Sequence, residues 1–245
     1  MNDSNISKKI VQNLISNKLK SILEIGPGMG ILTQHLINSK TETFFVEIDK
    51  ESIIYLNKVF PEIQNSIINE DFLKLKLNKF ETPIGLIGNF PYNISSQILF
   101  KLIENRDKVE ELVGMFQLEV AQRVCAPPGS KTYGILSVLI QAFYSAEFLF
   151  SLSPNHFNPP PKVNSGVIRL TKKSNIDIGC DEELFFKIVK TSFQQRRKTL
   201  RNSLKSFNLP NNIKEGAIFE KRPEALSVDD FILLTKIIAD GTIPA

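Results

Sequence analysis

Metal ligands and disulfide partners are scarce in this chain of 245 residues, which has two cysteines and two histidines. Cys125 and Cys180 stand far apart and form no C-x-x-C pair, and His35 and His156 complete no ligand spacing with them. This excludes a disulfide framework and leaves no metal expected; a reducing, cytoplasmic setting follows. No apolar run reaches the roughly 18 residues of a membrane span. The opening segment MNDSNISKKI lacks the apolar centre of a secretory signal, so none is expected. Internal repeats and low-complexity segments are absent as well. A strong charge bias is also lacking: the net charge is +4, which permits an anionic partner without specifying one. What is present is 42% apolar residues, enough for a sizeable core, in a length that suits one large α/β domain with a small appendage.

Over the first 170 residues or so, short apolar runs alternate with helical patterns. SILEI (21–25) reads as a buried strand, followed by the turn GPGMG and a helical ILTQHLI. TFFVEI (43–48) is the next strand, after which Asp49 can cap a helix through KESIIYLNKVF. NSIIN precedes Asp71. IGLIGN (84–89) is another strand, and Ser95 or Ser96 can cap QILFKLIE. ELVGMFQ followed by LEVAQRV repeats the unit. Strand then helix, several times over, predicts a doubly wound parallel sheet. EFLFSL and KVNSGVIRL are strand-like with no helix between them and suggest an edge hairpin; the prolines of NPPPKV between them impose an extended loop. Beyond KKSNIDIG the pattern is all helical. The expected division is an α/β domain over 1–174 and a small all-helical domain over 175–245.

Four constellations carry chemistry. In Glu24-Ile-Gly26-Pro-Gly28-Met-Gly30, glycines permit a sharp strand-to-helix turn and close approach of a ligand, at a position where open α/β sheets bind ligands. Glu47 follows about twenty residues later, where an acid can accept from ribose hydroxyls. Asp71 can accept from an adenine amine, and Phe72 can pack on the ring. These three point to an adenosine-containing cofactor without separating a dinucleotide from S-adenosylmethionine (SAM). The fourth, Asn89-Phe90-Pro91-Tyr92, separates them. An amine on a planar ring is a poor nucleophile, and the Asn89 side-chain oxygen and Phe90 carbonyl can hold its N–H bonds in line with a methyl donor. Pro91 stiffens the turn, and Tyr92 offers a face for an extruded base. A dehydrogenase is excluded because N-F-P-Y supplies no acid or base for hydride transfer.

With LEIGPGMG, VEID, GNFPYNISSQILFKL, GSKTYGILSVLIQ, HFNPPPKVNSGVIRL and FQQRRKTLRNSL, nearly the whole chain resembles the ribosomal RNA adenine N6,N6-dimethyltransferases of the KsgA type. The resemblance implies a class I SAM-dependent methyltransferase fold, a mostly parallel sheet with an antiparallel edge hairpin, followed by a small helical domain. It implies that Gly26 and Gly28, with Glu24, lie along the methionine part of SAM, that Glu47 binds the ribose, that Ile48 packs on the adenine, and that Asp71 binds its amine. Asn89 through Tyr92 would hold the target base, with Phe157 as a second wall. The substrate so implied is a pair of adjacent adenines near the 3′ end of small-subunit rRNA, in an immature subunit, with the enzyme acting as a monomer. Two departures stand out. Relatives carry a Gly-Gln-Asn-Phe-Leu-like arm before the residues matching Asn2-Asp3, and its absence here is expected to weaken SAM binding. Phe90 stands where many relatives have leucine, a change expected to matter little because the backbone makes the contact.

Lys and Arg crowd the stretch 196–205, where Arg196, Arg197, Lys198, Arg201 and Lys205 can neutralise RNA phosphates from a helix start, with Lys131 as a further candidate. Two rivals remain. A large-subunit adenine methyltransferase shares the first four motifs, but GSKTYGILSVL and QRRKTLRNSL favour the small-subunit type. Against a non-catalytic RNA-binding scaffold stand intact Glu47, Asp71, Asn89 and Tyr92.

Overall fold

The structure, a computed structural model, describes residues 4–241. Seven strands form one sheet in the order β3-β2-β1-β4-β5-β7-β6. They are β1 (Ser21–Ile25), β2 (Glu42–Glu47), β3 (Ile67–Asn69), β4 (Ile84–Asn89), β5 (Val109–Gln117), β6 (Tyr144–Leu152) and β7 (Ser165–Lys172). The pairs β1–β2, β1–β4, β2–β3 and β4–β5 are parallel, and β5–β7 is antiparallel. Helices α1 (Ser4–Gln12), α2 (Thr33–Leu36), α3 (Lys50–Val59), α4 (Ser95–Glu104) and α5 (Leu118–Val124) accompany them. β1 is buried along its whole length, as expected of a strand covered on both faces. Strand order reverses between β1 and β4, the arrangement that leaves a crevice at the carboxyl ends of the strands.

Several local expectations hold. Asp49 caps α3 by accepting from Ser52 N at 2.7 Å. Others change. Neither Ser95 nor Ser96 caps α4, because the cap position is Ile94; the Ser95 hydroxyl donates back to Pro91 O at 3.2 Å instead. ILTQHLI keeps only four helical residues, since Gly30 sits at φ 76° and the preceding segment remains a turn. EFLFSL and KVNSGVIRL are adjacent in the sheet, but the later strand, β7, is the inner one, leaving β6 at the edge.

Contacts group the chain into two compact units. One comprises the residues through Gln122 with Ser145–Lys172; the other comprises Arg123–Tyr144 with the residues from Lys173 onward. The second unit thus takes in a segment, 123–144, that the expected division at 174/175 leaves in the first. The reason is α6 (Ile135–Phe143), apolar almost throughout, which packs on α7 (Glu182–Gln194) and α10 (Val228–Asp240). Two short helices, α8 (Leu200–Ser203) and α9 (Asn211–Lys214), complete this unit. Its core includes Phe185, Phe219 and Phe231. Asp181 caps α7 by accepting from Leu184 N, and Ser227 with Asp230 forms a reciprocal capping box on α10. Asn2 and Asp3, where the arm of relatives would attach, lie outside the described residues. Among the described residues no helix is long and apolar enough to cross a membrane, and no acid, histidine and cysteine group could hold a metal.

Two core features carry consequences. Gly88 and Gly114 are register partners on β4 and β5, and the Phe90 ring fills the hollow they leave: a Cβ on Gly88 would stand 2.8 Å from that ring, and one on Gly114 would overlap it. Phe90 is 1% exposed and lies 4.9 Å from Phe116, centroid to centroid. Its ring is therefore a packing element as well as a backbone contributor. Gly114→Ala is expected to cost about 1–3 kcal/mol by overpacking, read from urea denaturation. The other feature is Glu24 on β1, which accepts a hydrogen bond from the Thr33 hydroxyl at 2.8 Å; burial pushes its pKa up to about 8, with Thr33 opposing the shift. The native state thus holds this proton more tightly than the unfolded chain, whose group titrates near 4.5. The contribution to stability is full below about 4.5 and is lost as pH rises toward about 8. Glu24→Gln keeps an acceptor for Thr33 and is expected to flatten that decline in urea midpoints taken across this range.

Candidate active site

The crevice at the carboxyl ends of β1 and β4 brings three of the four sequence constellations into definite geometry. Gly26, Gly28 and Gly30 all have left-handed φ, at 65°, 55° and 76°. At Gly26 and Gly28 nothing lies within 4 Å of where a Cβ would stand, so the turn leaves open space for a ligand to approach. Gly30 serves packing instead, since a Cβ there would overlap the Phe60 ring. Glu24 lies buried beneath this turn, joined to Thr33 and away from solvent.

Glu47 ends β2 and is 7% exposed. Its Oε2 accepts from Gly28 N at 3.0 Å, and its Oε1 accepts from Ile48 N at 2.8 Å and Asp49 N at 2.9 Å. One carboxylate therefore ties the turn after β1 to the turn after β2. Of its roughly four lone-pair sites three are taken, and the remaining one is on Oε2. Ile48 is 64% exposed beside it, and Met29 in the glycine turn is 62% exposed. Two large apolar side chains left bare next to a polar turn suit the covering of a flat ring. Met29 was not singled out in the sequence, where it reads only as a spacer between glycines.

Asp71 Oδ1 accepts from Leu73 N at 2.9 Å, closing a local turn. Phe72 is 4% exposed, with the Lys101 ammonium 5.1 Å from its ring centroid. A ring so covered is a core residue and can offer a ligand an edge at most. Lys101 donates to Leu73 O and Leu75 O and so fixes the loop carrying Asp71; burial lowers its pKa, with Glu104, Asp71 and Glu70 opposing.

The fourth constellation and Phe157 share one cavity of about 360 Å³. Asn89, Phe90, Pro91 and Tyr92 form one wall, and Phe157 with the prolines 159–161 forms the other. Asn89 ends β4; its carboxamide is half-buried and has no hydrogen-bond partner among the described residues. Phe90 N donates to Met115 O at 3.1 Å, which pins the turn to β5. The half-buried Tyr92 meets Ser165 at 2.6 Å, hydroxyl to hydroxyl, so the far end of the side chain is anchored by the first residue of β7. Ser165 escaped the sequence reading because it acts only through Tyr92, 73 positions away.

In the second unit the basic residues divide. Arg196 and Lys198 lie in the turn after α7 rather than on a helix start, as does Arg197. Arg196 is half-buried, donates to Ser130 O at 3.2 Å and lies 3.7 Å from Glu224. Arg201 pairs with Glu220 and donates to Lys214 O. Arg197, Lys198, Lys205 and Lys131 are exposed. Lys198 and Lys205 share a cavity of about 500 Å³ with Gln194, Gln195 and Asn202.

Comparison with known proteins gives a consistent result. The family profile described as ribosomal RNA adenine dimethylase matches residues 1–240. The ribosomal RNA small subunit methyltransferase A of Flavobacterium johnsoniae is 54% identical over 98% of this chain and 94% of its own length. That of Bacteroides thetaiotaomicron is 49% identical over 98% and 91%. The crystal structure of a dimethyladenosine transferase from Plasmodium falciparum superposes with a TM-score of 0.84 at 26% identity, covering 99% of this chain and 98% of that one. The 23S rRNA methyltransferase ErmE shares the fold, with a TM-score of 0.75 at 23% identity over 96% and 99% of the two chains. The chain belongs to the ribosomal RNA adenine dimethylase family and is an enzyme that methylates adenine in ribosomal RNA.

Proposed function

We propose that this enzyme dimethylates N6 of two adjacent adenines in small-subunit ribosomal RNA, using SAM, and acts in the cytoplasm as a monomer on immature subunits. The observation that carries this reading is the shared cavity of Asn89–Tyr92 and Phe157 at the end of β4. It offers a planar base two aromatic walls and an uncommitted carboxamide at its edge.

The residues at the end of β1 fit SAM. The space over Gly26 and Gly28 takes its methionine part, the free site on Glu47 Oε2 takes a ribose hydroxyl, Ile48 covers the adenine face, and Asp71 accepts from the adenine amine. When bound, SAM supplies an electrophilic methyl on a sulfonium sulfur. The protein's part is positioning. Tyr92 and Phe157 receive the flipped base. The Asn89 oxygen and the Phe90 carbonyl accept from the amine's N–H bonds, which aims its lone pair and favours the positive charge that develops on nitrogen. The methylated nitrogen is acidic and sheds its proton to water, so no side-chain base is needed. The exposed cations Lys131, Arg197, Lys198 and Lys205 meet RNA phosphates; Arg196 and Arg201, engaged within their own unit, orient the basic turn and contribute less directly.

Incubation with SAM and unmodified ribosomal subunits, followed by nucleoside mass spectrometry, is expected to give dimethyladenosine in small-subunit RNA alone; product confined to large-subunit RNA would contradict the reading. Asn89→Ala is expected to lower kcat by about a hundredfold or more while calorimetric SAM binding persists. Lys198→Ala and Lys205→Ala are each expected to weaken subunit binding and to reduce the slope of log affinity against log salt by about 1, with SAM binding unchanged.

A further inference from the structure

Asp71 opens the turn 71–75, and the hydrogen bonds inside that turn do not complete it. Lys74 N and Leu75 N donate to Asp71 O at 2.9 and 3.0 Å, and Leu75 N is also 3.2 Å from Phe72 O. Asp71 Oδ1 accepts from Leu73 N at 2.9 Å, while Oδ2 has no hydrogen-bond partner among the described residues. The turn thus uses the carbonyls of Asp71 and Phe72 internally and leaves those of Leu73 and Leu75 to an outside donor.

Both are taken by one side chain. The half-buried Lys101, on α4, donates to Leu73 O at 3.0 Å and to Leu75 O at 2.6 Å. Its ammonium also lies 5.1 Å from the centroid of the Phe72 ring, which is 4% exposed and fixed in the core. A charged donor makes stronger hydrogen bonds than a neutral one, so the turn behind Asp71 is tied to a helix at two carbonyls and one ring. The other end of that helix lies at the target-base cavity. α4 starts at Ser95, whose hydroxyl donates to Pro91 O at 3.2 Å. Lys101 stands about 9 Å along the same helix. One helix therefore sets the position of the Asn89–Tyr92 turn and of the turn carrying Asp71, and in-line transfer requires donor and acceptor to be placed together.

We propose that Lys101 is a positioning residue for the adenine end of SAM: by holding the turn 71–75 against α4 it keeps the Asp71 carboxylate within hydrogen-bond reach of the adenine amine, and so gives the cofactor site its preference for a 6-amino purine. The inference rests on the contact between Asp71 and the adenine amine proposed above. Lys101 itself touches neither the cofactor nor the RNA base in this role. A hydrogen bond weakens steeply with small errors of distance and angle, so a turn released by a fraction of an ångström loses the amine while the glycine turn and Glu47 keep the rest of the cofactor.

The test compares two ligands by calorimetry, S-adenosylhomocysteine and its analogue with hydrogen in place of the 6-amino group. The wild type is expected to bind the amino compound about tenfold or more tighter. Lys101→Met, which keeps the apolar stem, is expected to lose most of that preference while its affinity for the deaminated analogue stays unchanged. In turnover the same variant is expected to raise KM for SAM and leave kcat at saturation near the wild-type value. Lys101→Gln, which keeps a neutral donor, is expected to fall between the two and is read by the same ratio if the Met variant does not fold. A preference unchanged in the variants, or equal losses of affinity for both ligands, would overturn the inference and leave the proposed function standing. A wild type that binds both ligands equally would overturn the assignment of Asp71 to the amine, and this inference with it.

Discussion

β1 and β4 run side by side, yet the chain leaves them in opposite directions across the sheet. Helical connections cannot cover the gap between their carboxyl ends, and this is the constraint on which the candidate site depends. The glycine turn emerges from one strand and Asn89-Phe90-Pro91-Tyr92 from the other. Glu47, ending the next strand out, joins its own turn to the glycine turn through three backbone donors. On the other side, β7 enters antiparallel, so its first residue, Ser165, arrives at the same edge and meets Tyr92. A parallel β7 would have brought its last residue there instead.

Much of this was legible in the residues. Buried strands such as SILEI and IGLIGN announce themselves as short apolar runs, and their bounds agree with the structure. The Asp49 cap was readable from a single acid before a helical pattern. Ser95, before QILFKLIE, misled because its hydroxyl has a competing acceptor, Pro91 O, one turn back. The placement of 123–144 with the helical unit could not be read locally. It follows from which apolar faces meet, a property of α6, α7 and α10 together.

Within the site, sequence spacing located the groups but not their commitments. Glu47 looks like a free carboxylate in sequence, whereas the fold spends three of its four acceptor sites on backbone amides. Phe72 looks like a stacking aromatic and is a core residue. Arg196 and Arg201 belong to a basic run, yet both hold carbonyls and carboxylates of their own unit. Partners of this kind depend on residues tens of positions away, and only the folded chain discloses them.

The hydroxyl pair of Tyr92 and Ser165 has a thermodynamic meaning for the incoming RNA. Freezing a loose tyrosine on binding would cost about 0.5–1.5 kcal/mol in lost rotamer freedom. Here the hydroxyl end is already anchored by a strand residue before any base arrives, so the part of that entropy that belongs to the side chain's direction is lost during folding rather than at the encounter. The aromatic wall behaves as a preset shelf, and the adaptation required at the moment of binding falls on the nucleic acid.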